Sequence, residues 1–207
     1  MKIHIIFAHP HIQSFNGSLR NQAIHTLREL GHEVSYVDLY QEKFKASADE
    51  NDFTNLFNPD YFDIQVEQIK ALELGTFTED IKREQKILKE SQCIILQFPL
   101  WWYSMPALLK GYIDRVFSMG FAYGRGNALA GKKVLVSMTT GAPEKAWSEN
   151  DRGEIKEIFK HLFVGTFGLC QMEAFEPFIA YGVKRLNEEE RNQVIMDYDH
   201  YLRTLFS

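Results

Sequence analysis

A chain of 207 residues buries roughly 70% of the surface its unfolded form exposes, so it needs neither disulfide staples nor a structural metal to hold a core. With 28 acidic against 23 basic residues and a formal charge of −5, it lacks the basic field that gathers nucleic-acid phosphates or an anionic membrane, and a piece as short as Lys132-Lys133 does not reverse that. The two cysteines, Cys93 and Cys170, sit in apolar runs that predict buried strands; the absence of a disulfide framework, of any run near the ~20 apolar residues of a membrane span and of a signal-peptide core makes the cytoplasm the expected location.

Taken in chain order, Lys2–Ala8 is a nearly continuous apolar run, as in a strand buried on both faces. Leu19, Ala23, Ile24, Leu27 and Leu30 then recur at helical spacing up to Gly31, a C-terminal stop. Glu33–Leu39 predicts a second strand, so the chain opens β-α-β. Residues 40–80 mix Tyr40, Phe44, Phe53, Phe57, Tyr61 and Phe62 with acids and asparagines, without a clean period. A loop this long is uncommon in a compact domain unless functional, and its rings argue against disorder. A packed excursion is expected, with a short helix near Ile64–Leu74, lying over a site or a partner subunit.

Ile81–Glu90 predicts a helix, Cys93–Phe98 a third strand, and the stretch after Pro106 a helix whose apolar face holds Ala107, Leu108, Tyr112, Ile113, Val116 and Phe117. Lys133–Met138 is the expected fourth strand, Ile155–Phe167 a helix, Cys170–Phe175 the fifth strand and Glu188–Leu205 the terminal helix. Strands alternating with helices imply a parallel sheet with right-handed crossovers and helices on both faces. No repeat or linker interrupts this, so one α/β domain over residues 1–207 is expected.

Ligands of such sheets bind beyond the carboxyl ends of the strands, and three segments there have unusual composition. His9-Pro10-His11-Ile12-Gln13-Ser14-Phe15-Asn16-Gly17-Ser18 joins a buried strand to a helix; free N–H groups at the helix start, with the Ser14 and Ser18 hydroxyls, suit a phosphate, although an ordinary N-cap explains the same residues. Between two prolines, Phe98-Pro99-Leu100-Trp101-Trp102-Tyr103-Ser104-Met105-Pro106 places three large rings in one loop, which a stacking planar ligand would explain better than loop packing. Thr139-Thr140-Gly141 offers hydroxyls and open N–H groups to the edge of a heteroaromatic ring, or is simply a turn. Metal and nucleophilic chemistry fare worse. His9 and His11 lack a carboxylate or cysteine partner at ligand spacing, there is no G-x-S-x-G elbow, and no metal site is expected. The acidic run before Arg191 predicts a helix N-terminus.

In order along the chain, Ser14-Phe15-Asn16, Gln97-Phe98-Pro99-Leu100-x-Trp102, Pro106-Ala107-x-Leu109-Lys110-Gly111 with Arg115-Val116-Phe117, Phe121-Ala122-Tyr123 and Thr139-Thr140-Gly141 resemble the NAD(P)H:quinone oxidoreductases, the DT-diaphorases and their bacterial relatives. The resemblance implies a flavodoxin-like, doubly wound, five-stranded parallel sheet of order 2-1-3-4-5. It implies that His9, Ser14, Phe15, Asn16 and Ser18 hold the phosphates and ribityl chain of a flavin, that Pro99, Leu100, Trp101, Trp102 and Tyr103 run beside its rings, and that Thr139, Thr140 and Gly141 bond its pyrimidine side. Asp114 and Arg191 match positions that hold the adenosine half, which favours FAD over FMN. NAD(P)H is the implied electron donor and a quinone or similar compound the acceptor. A homodimer is also implied, with Trp102 and Tyr123 in the substrate pocket. Where animal members carry a tyrosine and a histidine for a proton relay, this chain has Trp147 and Arg152; with Tyr103 these are the candidate catalytic residues, Arg152 as a fixed cation that stabilises negative charge. Two alternatives are a regulatory flavoprotein subunit of a potassium efflux system and a flavodoxin-type electron carrier.

Overall fold

The computed structural model describes residues 1–207. Its strands are β1 (Lys2–Phe7), β2 (Glu33–Asp38), β3 (Cys93–Pro99), β4 (Lys133–Thr139), β5 (Glu173–Ala174) and β6 (Phe178–Ala180). The helices are α1 (Phe15–Glu29), α2 (Ile64–Leu74), α3 (Glu79–Glu90), α4 (Ala107–Val116), α5 (Ile155–Lys160) and α6 (Glu188–Phe206). The sheet runs β2-β1-β3-β4-β5 with every pairing parallel, and β6 pairs with β4 alongside β5. This is the flavodoxin-like order that the sequence implied.

Both faces of the sheet are dry, which is why its strands are apolar runs instead of alternating ones. Ile3 and Ile5 of β1 turn toward α1 and α6, where they join Leu19, Leu27, Tyr198 and Leu202. Ile6, Ile94, Leu96, Val134 and Val136 turn the other way, onto Leu109, Tyr112 and Val116 of α4 and Phe159 of α5. His4, buried on that second face, sits 2.8 Å from the Ser35 hydroxyl and 3.3 Å from the Glu84 carboxylate, which also accepts the Tyr112 hydroxyl at 3.0 Å.

The fifth strand departs from expectation. The prediction of one strand over Cys170–Phe175 is corrected: Cys170 is buried at the end of the preceding helical segment, and the strand begins at Glu173. It then breaks between Ala174 and Phe178, where Pro177 has no N–H for the ladder, and resumes as β6. Six short strands therefore fill five positions. The helix before it extends to Phe167 as expected, but from His161 it widens into π-helical turns. Bonds from i to i+5 bring residues five apart onto one face, and both Leu162 and Phe167 reach the core.

The aromatic excursion is ordered by its own small core, where Phe53 and Phe77 stack at 5.4 Å beside Ala71 and Ile81. Its helix α2 starts at an Asp63 cap and stops at Gly75, whose φ is 71°. Arg115, buried on α4, latches the excursion to the body through Asp52 and Asp80, each at 2.8 Å, and through the Lys45 carbonyl at 3.2 Å. The chain crosses α4 so closely that a Cβ on Gly111 would stand 2.0 Å from the Ala46 oxygen. No helix is long and apolar enough to cross a membrane.

Candidate functional site

At the end of β1 the chain folds back over the start of α1. A Cβ on Gly17 would lie 1.9 Å from the Ile12 carbonyl oxygen, so only glycine permits that approach. Ser14 caps the helix by accepting the Gly17 N–H at 3.2 Å. The N–H groups of Phe15 and Asn16 have no acceptor in the chain and stay available at the positive end of α1. Burial holds the His9 pKa below the ordinary histidine value. Its Nδ1 faces the His11 backbone, 3.0 Å from the N–H and 3.1 Å from the carbonyl oxygen, which fixes the ring at the mouth of this loop. Beneath them, Gln97 Nε2 donates to Asn16 Oδ1 at 2.9 Å and Asn16 Nδ2 donates to Thr139 Oγ1 at 2.8 Å. This buried chain locks the ends of β3, α1 and β4 together.

The loop after β3 makes a tight turn. Trp101 and Ser104 exchange both backbone hydrogen bonds at 3.0 Å, and the central residues Trp102 and Tyr103 have φ of 50° and 60°. Two positive φ values at the centre are the signature of a type I′ turn, normally the place of Asn-Gly. Here two bulky aromatics hold it at a cost of about 1–3 kcal/mol each. The result is an indole at Trp102 that is 95% exposed. Trp101 leans on His9 at 6.2 Å, and Tyr103 meets Trp147 edge to face at 6.0 Å.

After β4, the Thr140 hydroxyl donates to the Ala142 carbonyl at 2.7 Å and accepts the Gly182 N–H at 3.2 Å, while Thr140 O accepts the Val183 N–H. These bonds draw the segment after β6 against the turn. A Cβ on Gly141 would touch no protein atom; it would project into open space.

That space is a cleft in two parts that meet at Leu100 and Gly141. One part, about 440 Å³, is lined by His9, Ser14, Phe15, Asn16, Pro99, Trp101, Thr139, Thr140 and Arg191. The other, about 560 Å³, is lined by Trp102, Tyr103, Trp147 and Arg152. The three segments named from sequence thus converge. Ser18, Asp114 and Tyr123 line neither part. Ser18 turns back on the Ser14 carbonyl, Asp114 pairs with Lys110 one turn away on α4, and the Tyr123 hydroxyl meets Gln65 of α2 at 3.5 Å. Other wall residues escaped the sequence reading: Val183 and Lys184 in the first part, Lys145 and Arg185 in the second. The basic pair Lys184-Arg185 just before α6 was the one legible signal for them.

The donor set fits a flat ring system with a phosphorylated tail. Free N–H groups at the α1 terminus, with Lys184 and Arg191, suit the phosphates, and the space over Gly141 between the ring turn and Thr139-Thr140 suits the rings.

Known proteins resemble this chain over almost its whole length. The model of a family described as "Flavodoxin-like fold" matches residues 1–205. The ribosyldihydronicotinamide dehydrogenase [quinone] of Mus musculus is 34% identical over 99% of this chain and 92% of its own. The NAD(P)H dehydrogenase [quinone] 1 of Cavia porcellus is 32% identical over 98% of this chain and 76% of its own. Among solved structures, a putative quinone reductase from Klebsiella pneumoniae superposes with a TM-score of 0.91 at 32% identity, over 99% of this chain and 85% of that one.

Proposed function

Because the chain belongs to the flavodoxin-like quinone dehydrogenase family, we propose that its two-part cleft is the active site of a flavin-dependent enzyme that oxidises NAD(P)H and reduces quinones. The NAD(P)H dehydrogenase (quinone) activity is that of its relatives. The observation that carries the assignment to the cleft is the convergence of the α1 terminus, the strained ring turn and Thr139–Gly141 around one slot.

A flavin held in this cleft would supply two-electron redox chemistry, with its N5 as hydride acceptor, between a nicotinamide donor and a quinone. The protein's part is position and field. Phe15 and Asn16 offer N–H groups to the phosphates, Ser14 shapes that helix start, and His9 offers its imidazole. Pro99, Leu100 and Trp101 wall the ring slot, while Thr139, Thr140 and Gly141 border its polar edge. Arg191 and Lys184 extend the phosphate-binding wall, which supports FAD over FMN. Tyr103 and Trp147 brace each other at the mouth of the second part, and Trp102 offers its face to an entering planar acceptor. Arg152 is always cationic, so it stabilises negative charge in the cleft and moves no proton.

One flavin-binding domain spans residues 1–207 in this reading, and two copies form the working unit. Exposed Phe57, Tyr61, Val66 and Leu74 on the excursion support a subunit contact there. Ser18, Asp114 and Tyr123, remote from the cleft of their own chain, would contribute only through such an assembly or not at all. Two unpaired, buried cysteines suit the reducing cytoplasm. The efflux-regulator and electron-carrier readings are weaker, because the relatives that match almost the whole chain are dehydrogenases.

The deciding experiment is to purify the protein, release and identify its nucleotide, and assay menadione reduction with NADH and NADPH. Yellow protein that yields FAD and gives parallel double-reciprocal lines is expected, since donor and acceptor use one cleft in turn. Colourless protein that takes up no flavin at micromolar concentration would end the assignment.

A further inference from the structure

The outer part of the cleft carries more positive charge than flavin binding uses. Lys145 and Arg152 from the loop after β4, and Arg185 from the segment after β6, line it opposite Trp102, Tyr103 and Trp147. Several of the chain's other cations are committed to acids, among them Arg115 to Asp52, Arg83 to Glu42, Arg203 to Glu29 and Lys45 to Asp52. The side chains of Lys145, Arg152 and Arg185 have no acidic partner, and Asp151 is the one acid among the lining residues. Glu144 and Glu149 stand in the same loop without lining the cleft. In a chain of net charge −5, a concave wall with three unpaired cations beside three aromatic rings attracts a ligand that joins a flat ring to anionic groups.

A simple quinone is flat but uncharged. The donor has both features, a nicotinamide ring and phosphates. We infer that Lys145, Arg152 and Arg185 form a phosphate-recognition patch that makes the enzyme select phosphorylated dihydronicotinamide donors. NADPH, with its additional 2′-phosphate, is preferred to NADH, and dihydronicotinamide riboside, which has no phosphate, is the poorest. The inference rests on the quinone reductase reading and adds the identity of the donor. The cations act on binding and on electrostatic steering, so their effect lies in KM and fades as salt screens them.

The test uses the flavin-loaded enzyme, saturating menadione, and the three donors at about 20 and 200 mM ionic strength, conditions that separate weak from strong screening. The wild type is expected to show kcat/KM for NADPH at least about tenfold above that for NADH, falling with salt, while the riboside value stays flat. The double variant Lys145→Gln/Arg185→Gln spares Arg152, which has a second role. It should raise KM for NADPH about tenfold or more, and change kcat/KM for the riboside by a much smaller factor. As a readout independent of turnover, calorimetry should show 2′,5′-ADP binding to the wild-type holoprotein more tightly than 5′-AMP and losing that advantage in the variant. Equal, salt-insensitive kcat/KM for NADH and NADPH would overturn the patch, and so would an equal loss with the riboside. Riboside-driven activity alongside those results would leave the quinone reductase reading standing; no activity with any donor would remove both.

Discussion

Trp102 and Tyr103 hold backbone angles that an Asn-Gly pair adopts without strain, and they hold them to keep two rings at the mouth of the cleft. Replacing both, as Trp102→Asn/Tyr103→Gly, should stabilise the protein by about 1–2 kcal/mol in urea denaturation, because the strain is relieved. The same variant should lose at least about tenfold in kcat/KM for menadione, the size expected when roughly 1.4 kcal/mol of aromatic contact is removed. A variant that is no more stable, or that keeps full activity, would show that the turn is not a functional concession. The rings themselves were legible in the sequence, since three aromatics between prolines have no ordinary loop role. The positive φ values were not, because nothing in a Trp-Tyr pair announces a left-handed backbone.

Among the elements, two buried polar networks tie the helices to the sheet. In the first, His4 of β1, Glu84 of α3 and Tyr112 of α4 meet. Burial alone would raise the Glu84 pKa, but His4, Arg83 and Tyr112 outweigh it and hold the carboxyl below its ordinary value. The ionised form is therefore favoured by folding. Its contribution is complete above the unfolded glutamate pKa of about 4.3 and disappears as the pH falls through the lower folded value. Urea midpoints should drop through that window, and Glu84→Gln should be less stable near pH 7 with a flatter acid limb; an unchanged acid limb would remove Glu84 from the account. In the second network, Arg115→Met leaves the buried Asp52 carboxylate with Lys45 as its one cation and should cost about 2 kcal/mol, below the ~3–5 kcal/mol of a buried charge left with no partner. Hydrogen exchange should then accelerate over residues 45–80, and protection equal to wild type would mean that the excursion holds without its latch.

At the scale of the whole molecule, the excursion covers its own aromatics only in part. Phe53 and Phe77 are buried, whereas Phe57 and Tyr61 face solvent. If that patch joins two copies, sedimentation should give twice the chain's 24.1 kDa, and Tyr61→Glu should shift the population toward the single chain, since an unpaired charge is costly to bury in an apolar contact. A wild-type protein that sediments as one chain would assign the patch to something else.

Strand and helix identities, their alternation, the parallel sheet and the three unusual segments that line the cleft were readable from the sequence because each depends on local pattern: apolar runs, helical spacing, and unusual residues just beyond a strand. The fifth strand was misplaced because its apolar run continues across a helix end, and because a two-residue strand carries almost no pattern of its own. Lys145, Lys184 and Arg185 went unseen as wall residues, while Asp114 and Tyr123 proved distant from the cleft of their own chain. Whether side chains more than thirty residues apart share a cleft depends on which strand ends lie side by side and how the loops between them bend. Only packing decides that.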